Sequence, residues 1–200
     1  LAQVSSMADS VYAVLGLGSY PIVLAGTEAQ KQSYLPELLE GRRIAAFALT
    51  EPEAGSDVAQ LATVAHKVGD GFTITGEKTL ISNTPADHYI VFANANPEAG
   101  RKGISAFIVD YNCKGLTTSP LTLSAPHPIG KLRFDSMEVS INSLLGEVGR
   151  GFRIAMETLD TFRISVGAAA NGMAARALSL SIGHTKRRRQ FGAPLADQQI

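Results

Sequence analysis

The hydrophobic period of this chain changes twice, and that restricts its architecture more than any single residue does. In residues 1–43, Val4, Met7, Ala8, Val11, Val14 and Leu15 recur near helical spacing. Gly16, Gly18 and Pro21 interrupt the pattern. Thr27-Glu28-Ala29-Gln30 reads as a capping box, with Gln third after Thr. The helix it opens carries Gln30 to Tyr34, Pro36 starts a further turn or short helix, and Gly41 ends it. From about Ile44 to Leu145 the pattern is one of short strands. Val64–Val68, Gly69-Asp70-Gly71 and Phe72–Thr75 form a hairpin signature. Gly76-Glu77-Lys78 and Thr79–Ser82 follow. Tyr89–Ala93 and Ile104–Val109 are apolar strands joined by a polar loop, Asn94 to Lys102. Leu116–Ser119 and Lys131–Phe134 are further strands. Behind Gly149-Arg150-Gly151 comes a helical segment of roughly 35 residues, rich in Ala, Gly and Ser. Small residues let helices approach closely. Gly167, Gly172 and Gly183 each weaken a helix by ~1 kcal/mol, so tight packing is expected around them.

The fold class expected is α+β. A small all-β barrel or sandwich, residues 44–146, is flanked by the end of one helical domain, 1–43, and the start of another, 147–200, both parts of an incomplete helical bundle. The chain opens at Leu1 without an initiator Met and closes without a helix stop signal, so a fragment is expected.

Composition narrows the function. Hydrophobic residues make up 45% of the chain and charged residues 18%, enough to bury a core. Lys plus Arg equals Asp plus Glu, which speaks against a general nucleic-acid or membrane-surface role. A single cysteine, Cys113, excludes an internal disulfide framework and a Cys-based zinc site. No apolar run is expected to span a bilayer, and no signal-peptide pattern is visible.

The segment Phe47-Ala48-Leu49-Thr50-Glu51-Pro52-Glu53-Ala54-Gly55-Ser56-Asp57 carries the chemistry. An apolar run passes into a turn that gathers hydroxyls and free N–H groups. Pro52 cannot continue a sheet ladder, and Gly55 permits a positive φ or a close approach. Such a turn suits a ligand. Taken alone, the composition fits an acidic surface turn equally well. Other motifs fail. Gly16-Leu17-Gly18-Ser19-Tyr20-Pro21 has Pro where a dinucleotide fingerprint needs its third Gly, and it follows a helical pattern. A Walker loop and a Gly-x-Ser-x-Gly elbow are absent. His66, His88, His127 and His184 lack ligand spacing, so no metal is expected.

Phe47 to Asp57 resembles the Thr-Glu-Pro-x-Ala-Gly-Ser-Asp signature of the acyl-CoA dehydrogenases, a family of FAD flavoproteins. Gly76-Glu77-Lys78 to Asn83 resembles their Gly-x-Lys-x-Trp-Ile-Thr-Asn strand. Leu144-Leu145-Gly146-Glu147 to Asp160 resembles their Leu-Leu-Gly run into a long helix. Arg188-Arg189-Gln190-Phe191-Gly192 resembles their Arg-x-Gln-Phe-Gly motif, and Gly26 to Lys31 also fits. These five motifs occur in family order and cover essentially the whole chain.

The resemblance implies that Phe47, Leu49, Thr50, Gly55 and Ser56 line an FAD site, with Ser56 also near the acyl-CoA chain. Ser82 matches a Thr whose hydroxyl approaches the flavin's reactive nitrogen. Leu80 stands where the family usually has Trp, which keeps the site apolar but removes an aromatic face. Arg188, with Gln190 and Phe191, is implied to meet the FAD pyrophosphate of a neighbouring subunit. Gln198 and Gln199 match positions at its adenine end. Otherwise Lys186-Arg187-Arg188-Arg189 is a solvated helix end, without the basic stripe a nucleic acid needs. Asp160 and Arg163, three apart on a helix, fit a local ion pair; the resemblance puts them at the acyl-CoA border, with Arg163 pointing into an enclosed region. Ser124–Gly130, with His127 and two prolines, departs from the family's loop, so that loop's substrate contacts are not carried over.

The implied reaction is α,β-dehydrogenation of an acyl-CoA thioester to the trans-2-enoyl-CoA. Electrons pass from flavin to electron-transfer flavoprotein, in a homo-oligomer (dimer or tetramer) of the bacterial cytoplasm or mitochondrial matrix, the cytoplasm preferred. No residue matches the catalytic base. Most relatives carry that Glu further along than Ile200 corresponds to, and a minority where Phe162 stands. Two alternatives stay open: oxidase-like chemistry within the superfamily, and a non-catalytic flavin- or acyl-CoA-binding assembly protein.

Overall fold

The structure, a computed structural model, describes residues 1–124 and 127–198. Helix α1 runs Ser6–Ala25 and α2 Glu28–Leu39. Ser5 caps α1 by accepting from the Ala8 N–H at 3.2 Å. The capping box forms as expected: Gln30 N–H donates to Thr27 Oγ1 (3.2 Å), and Thr27 N–H donates to Gln30 Oε1 (2.9 Å).

Four of the expected breaks are not breaks. α1 passes through Gly16, Gly18 and Pro21, and α2 passes through Pro36. The glycines answer to packing. A Cβ on Gly16 would overlap the Phe162 ring, and one on Gly18 would stand 2.6 Å from Ala45 Cβ. Helix propensity is a weak term beside such a contact. α1 is also long and apolar enough to cross a membrane by length and composition, against the expectation of no such run. In this fold Val14, Gly18, Pro21 and Ile22 are buried, and α1 packs on the long helix and the first strand.

Eight strands form one sheet: β1 Ala45–Ala48, β2 Val64–Val68, β3 Gly71–Ser82, β4 His88–Asn94, β5 Ile104–Asp110, β6 Leu116–Pro120, β7 Ile129–Ser140 and β8 Leu144–Leu145. The order is β6-β7-β3-β2-β4-β5-β8, with β1 parallel to β4. β2 and β4 meet at a single pair, Val64 and Asn94, where the sheet turns. The halves then face each other. Phe72, Ile74, Leu132, Phe134 and Met137 pack on Tyr89, Val91, Phe107 and Val109, with Phe72 and Phe107 edge to face at 5.1 Å. The opposite face of β4 and β5, with Ile90, Phe92, Ile104 and Ala106, packs on Ile22, Ile154 and Ala155 of the helices. Residues of one strand alternate between two apolar layers, which is why β4 is buried throughout. Fully buried Phe92, Phe107 and Phe134 stabilise by roughly 1.5–3 kcal/mol each.

The Gly69-Asp70 hairpin forms as expected, Val64 opposite Thr75 through Val68 opposite Gly71. β7 runs beyond Phe134 to Ser140 because its alternation only changes phase. Its register with β3 shifts between Ile74 and Gly76, and Ser136 sits at φ 48°. A second shift, between Lys78 and Ile81, lies where β3 nears the turn after β1.

Helix α3 runs Gly151–Arg187, followed by a hairpin of β9 Arg189–Gln190 and β10 Ala193–Pro194. Only its first turns are buried, at Gly151, Ile154, Ala155 and Thr158. Of the tight packing expected at its later glycines, the described residues show only that at Gly172. A Cβ at Gly167 would meet nothing within 4 Å, and at Gly183 only the side chain of Arg187. Gly172 meets the chain start at Ala2 and Gln3. The close approach is at Gly151, where a Cβ would run into the Ser105 backbone.

Candidate functional site

The Thr-Glu-Pro turn leaves β1 at Ala48 and is held by a buried ion pair that sequence reading did not anticipate. Lys78 on β3 is fully buried, with Nζ 2.7 Å from Glu51 Oε1 and 3.0 Å from the Leu49 carbonyl oxygen. Glu51 also accepts from the N–H groups of Ala62 (2.6 Å) and Thr63 (3.1 Å). Within the turn, the Glu51 N–H donates to the Ala54 carbonyl at 3.0 Å. Burial pushes the Lys78 ammonium down to about 8, against the pull of Glu51. Burial pushes the Glu51 carboxyl up, but Lys78 and the N–H donors outweigh it and hold it below its usual range. Lys78 donates two hydrogen bonds here and Glu51 accepts three. Glu51 is therefore a structural anchor, not a free carboxylate.

That anchor fixes what its neighbours present. Phe47, Leu49, Thr50, Gly55 and Ser56 line one side of an open cleft of about 490 Å³. Phe152, Met156, Leu159 and Arg163 of α3 line the other, and Asp57, Val58, Ala59 and Arg101 complete the lining. The α3 residues fall at spacings of four, three and four, one face of a helix. That spacing was available in the sequence; only Arg163 was singled out. Arg101 was missed because the loop that carries it gives no local signal. Its guanidinium lies over the Phe152 ring at 5.8 Å from the centroid. The cleft is apolar along its walls and carries hydroxyls and two guanidinium groups. A Cβ at Gly55 would meet nothing within 4 Å, and Gly55 is not among the positive-φ glycines. Its expected backbone role is thus not used within the chain.

The other sequence candidates lie in three places. Leu80 and Ser82 sit at the end of β3, outside the cleft lining but joined to it, since the Thr79 N–H donates to the Thr50 carbonyl at 3.0 Å. Leu80 is 56% exposed at φ 57°, an unusual state for a bulky apolar residue. Ser82 Oγ is 2.8 Å from His127 Nε2. Asp160 pairs with Arg163 at 3.0 Å and does not line the cleft; both side chains are 67% exposed. Within the described residues, Arg163 borders a cleft that is open. Phe162, at the alternative base position, packs edge-on against Tyr20 with centroids 5.7 Å apart.

Arg188, Gln190, Phe191 and Gln198 gather around the hairpin after α3, roughly 35–40 Å along the helix from Arg163. Phe191 and Gly192 form its tip at φ 52° and 79°, and Phe191 is 95% exposed. The Leu195 N–H donates to the Arg188 carbonyl at 2.8 Å, and Gln198 Nε2 lies 3.5 Å from the Gln190 carbonyl oxygen. These residues do not reach the cleft of their own chain. Gln199 lies outside the described residues, as do Ala125 and Pro126 of the Ser124–Gly130 loop. Among the described residues no cluster of His, Cys, Asp and Glu could hold a metal ion.

Three family models match the chain in order: acyl-CoA dehydrogenase N-terminal domain over residues 1–42, middle domain over 46–137 and C-terminal domain over 149–200. An acyl-CoA dehydrogenase of Bacillus subtilis (strain 168) is 41% identical, matching 98% of this chain and 54% of its own length. A glutaryl-coenzyme A dehydrogenase solved with glutaryl-CoA superposes with a TM-score of 0.92 at 36% identity, covering 98% of this chain and 51% of that one. An acyl-CoA dehydrogenase complexed with FAD from Bacillus anthracis superposes at 0.84 with 37% identity, covering 93% and 32%. The chain thus spans about half the length of the curated relatives it matches. With all three domain models matched in order on a superposable fold, the chain belongs to the acyl-CoA dehydrogenase family.

Proposed function

We propose that this chain contributes to an FAD-dependent dehydrogenase that converts an acyl-CoA thioester to its trans-2-enoyl-CoA. The observation that carries this reading is the turn anchored by Glu51 and Lys78, which faces Thr50 and Ser56 across a cleft from Phe152, Met156, Leu159 and Arg163. The donor set fits both molecules. Hydroxyls of Thr50 and Ser82 suit the polar edge of a flavin, whose ring nitrogens and carbonyls need partners once buried. Phe47, Leu49 and the exposed side chain of Leu80 offer apolar surface to a flat ring. The apolar face of α3 suits an acyl chain, and Ser56 stands where chain and cofactor would meet.

Bound FAD supplies the acceptor for the β hydrogen. The residues of this chain bind, orient and exclude water. Removal of the α proton needs a carboxylate with a raised pKa. Glu51 is committed to Lys78, Phe162 occupies the alternative position, and Glu157 and Asp160 pair with Arg153 and Arg163 on the exposed face of α3. We therefore assign the base to the part of the protein that follows residue 200 in its full-length relatives.

Arg188, Gln190, Phe191, Gln198 and Gln199 would serve the FAD of a second subunit, Arg188 offering a planar fork to its pyrophosphate. Their distance from the cleft along α3 supports a homo-oligomer. Electron-transfer flavoprotein as electron acceptor and a bacterial cytoplasmic setting complete this reading. Its test is the flavin content of the purified full-length protein. One FAD per chain, bound more weakly in Thr50→Val and in Arg188→Ala, is expected; protein that is colourless and unable to take up FAD would overturn it.

A further inference from the structure

One side-chain pair lies in the segment where the chain departs from the family's pattern. His127 Nε2 is 2.8 Å from Ser82 Oγ, and both residues are half-buried. The backbone around the pair is fixed from several sides. Ser82 closes β3 opposite Ile129 of β7. The Asn83 N–H donates to the Pro128 carbonyl at 2.8 Å. Asn83 Nδ2 donates to the Ala45 carbonyl at 3.1 Å, tying the same corner to β1. Asn83 takes φ 64° to make these bonds. The imidazole is thus held against the serine by the end of the sheet.

A serine hydroxyl carries one proton and rotates freely, so a neighbour decides where it points. If His127 Nε2 carries the ring proton, it donates to Ser82 Oγ, and the hydroxyl proton is directed elsewhere. If Nε2 is bare, Ser82 donates to it, and both lone pairs of the oxygen are left to accept. One oxygen then offers a donor in the first tautomer and an acceptor in the second. We infer that His127 is a positioning residue that sets the direction of the Ser82 hydroxyl toward the reactive edge of the bound flavin. The inference rests on the placement of Ser82 proposed above. The ring nitrogen at that edge accepts a hydrogen bond when the cofactor is oxidised and donates one when it is reduced. A lone serine must reorient without a partner between the two states, whereas Ser82 with His127 has a matched arrangement for each.

The test uses the full-length protein and four variants: Ser82→Ala, His127→Leu, His127→Gln and the double variant Ser82→Ala with His127→Leu. The readouts are FAD dissociation constant, flavin visible spectrum and midpoint potential, with apoprotein melting as the control for folding. Loss of one oriented hydrogen bond predicts FAD binding weakened about fivefold in Ser82→Ala and in His127→Leu. Both variants also shift the spectrum and the potential. His127→Gln, whose amide can reach Ser82, restores most of the change. The double variant matches Ser82→Ala alone, because His127 acts only through Ser82. If Ser82→Ala changes the flavin and His127→Leu does not, or if the two effects add, the inference fails while the placement of Ser82 stands. If Ser82→Ala changes nothing, the placement itself fails, and the inference with it. Should His127→Leu not fold, His127→Asn, whose shorter amide stops short of Ser82, takes its place with the same expectations.

Discussion

Lys78 Nζ lies 2.7 Å from Glu51 Oε1, both side chains withdrawn from solvent, and this bond helps join β3 to the turn that lines the cleft. Removing one partner leaves the other charged and buried. Glu51→Gln or Lys78→Met should each cost about 3–5 kcal/mol. The double variant Glu51→Gln with Lys78→Met should cost less than the sum. Urea unfolding of the four proteins measures the coupling.

The same pair dictates an acid limit. The Glu51 carboxyl is held below its ordinary value of 4.5. Below that pH the unfolded chain takes up a proton that the folded chain resists. The stabilisation is therefore complete above 4.5 and is lost as pH falls through the lower folded value. Unfolding free energies measured from about pH 7 down to about pH 3 should decline at the acid end, and Glu51→Gln should flatten that decline.

Leu80 pairs strain with exposure. A φ of 57° costs about 1–3 kcal/mol in a non-glycine residue, and its exposed side chain returns little packing. Leu80→Gly should stabilise the apoprotein by up to about 1 kcal/mol while weakening FAD binding. Thermal melting of apoprotein and a fluorescence titration with FAD separate the two effects.

Gly16 is required by Phe162. Gly16→Val should cost about 1–3 kcal/mol by overpacking. Phe162→Ala in the same chain should recover part of that loss, which calorimetry of the pair would show.

Arg188 makes no ion pair with the described residues and caps α3 through its backbone alone. Arg188→Ala should leave apoprotein stability within about 0.5 kcal/mol and weaken FAD binding about tenfold. Equilibrium dialysis against FAD checks it.

What was readable in the sequence was local. The Gly69-Asp70 turn, the Thr27 capping box and the Phe47–Asp57 turn each announce themselves within a dozen residues, and all three form. What was unreadable depended on distant partners. Lys78 and Glu51 look like surface charges until 27 residues of chain bring them together. Gly16, Gly18 and Pro21 look like helix breakers, yet the chain needs small residues where Phe162 and Ala45 approach. Ser82 and His127, 45 residues apart, meet because β3 and β7 pair at Ser82 and Ile129. Arg101 enters the cleft from a loop whose composition says nothing of its neighbours.

The central claim is that this cleft serves flavin-dependent oxidation of an acyl thioester. The most direct measurement is an anaerobic titration of the full-length, FAD-loaded protein with saturated acyl-CoA thioesters of increasing chain length, followed at the visible flavin band. The account predicts bleaching of that band by at least one of them, with an enoyl-CoA recovered as product. A flavin that stays oxidised throughout the series, with bound FAD confirmed and no enoyl-CoA formed, would contradict it.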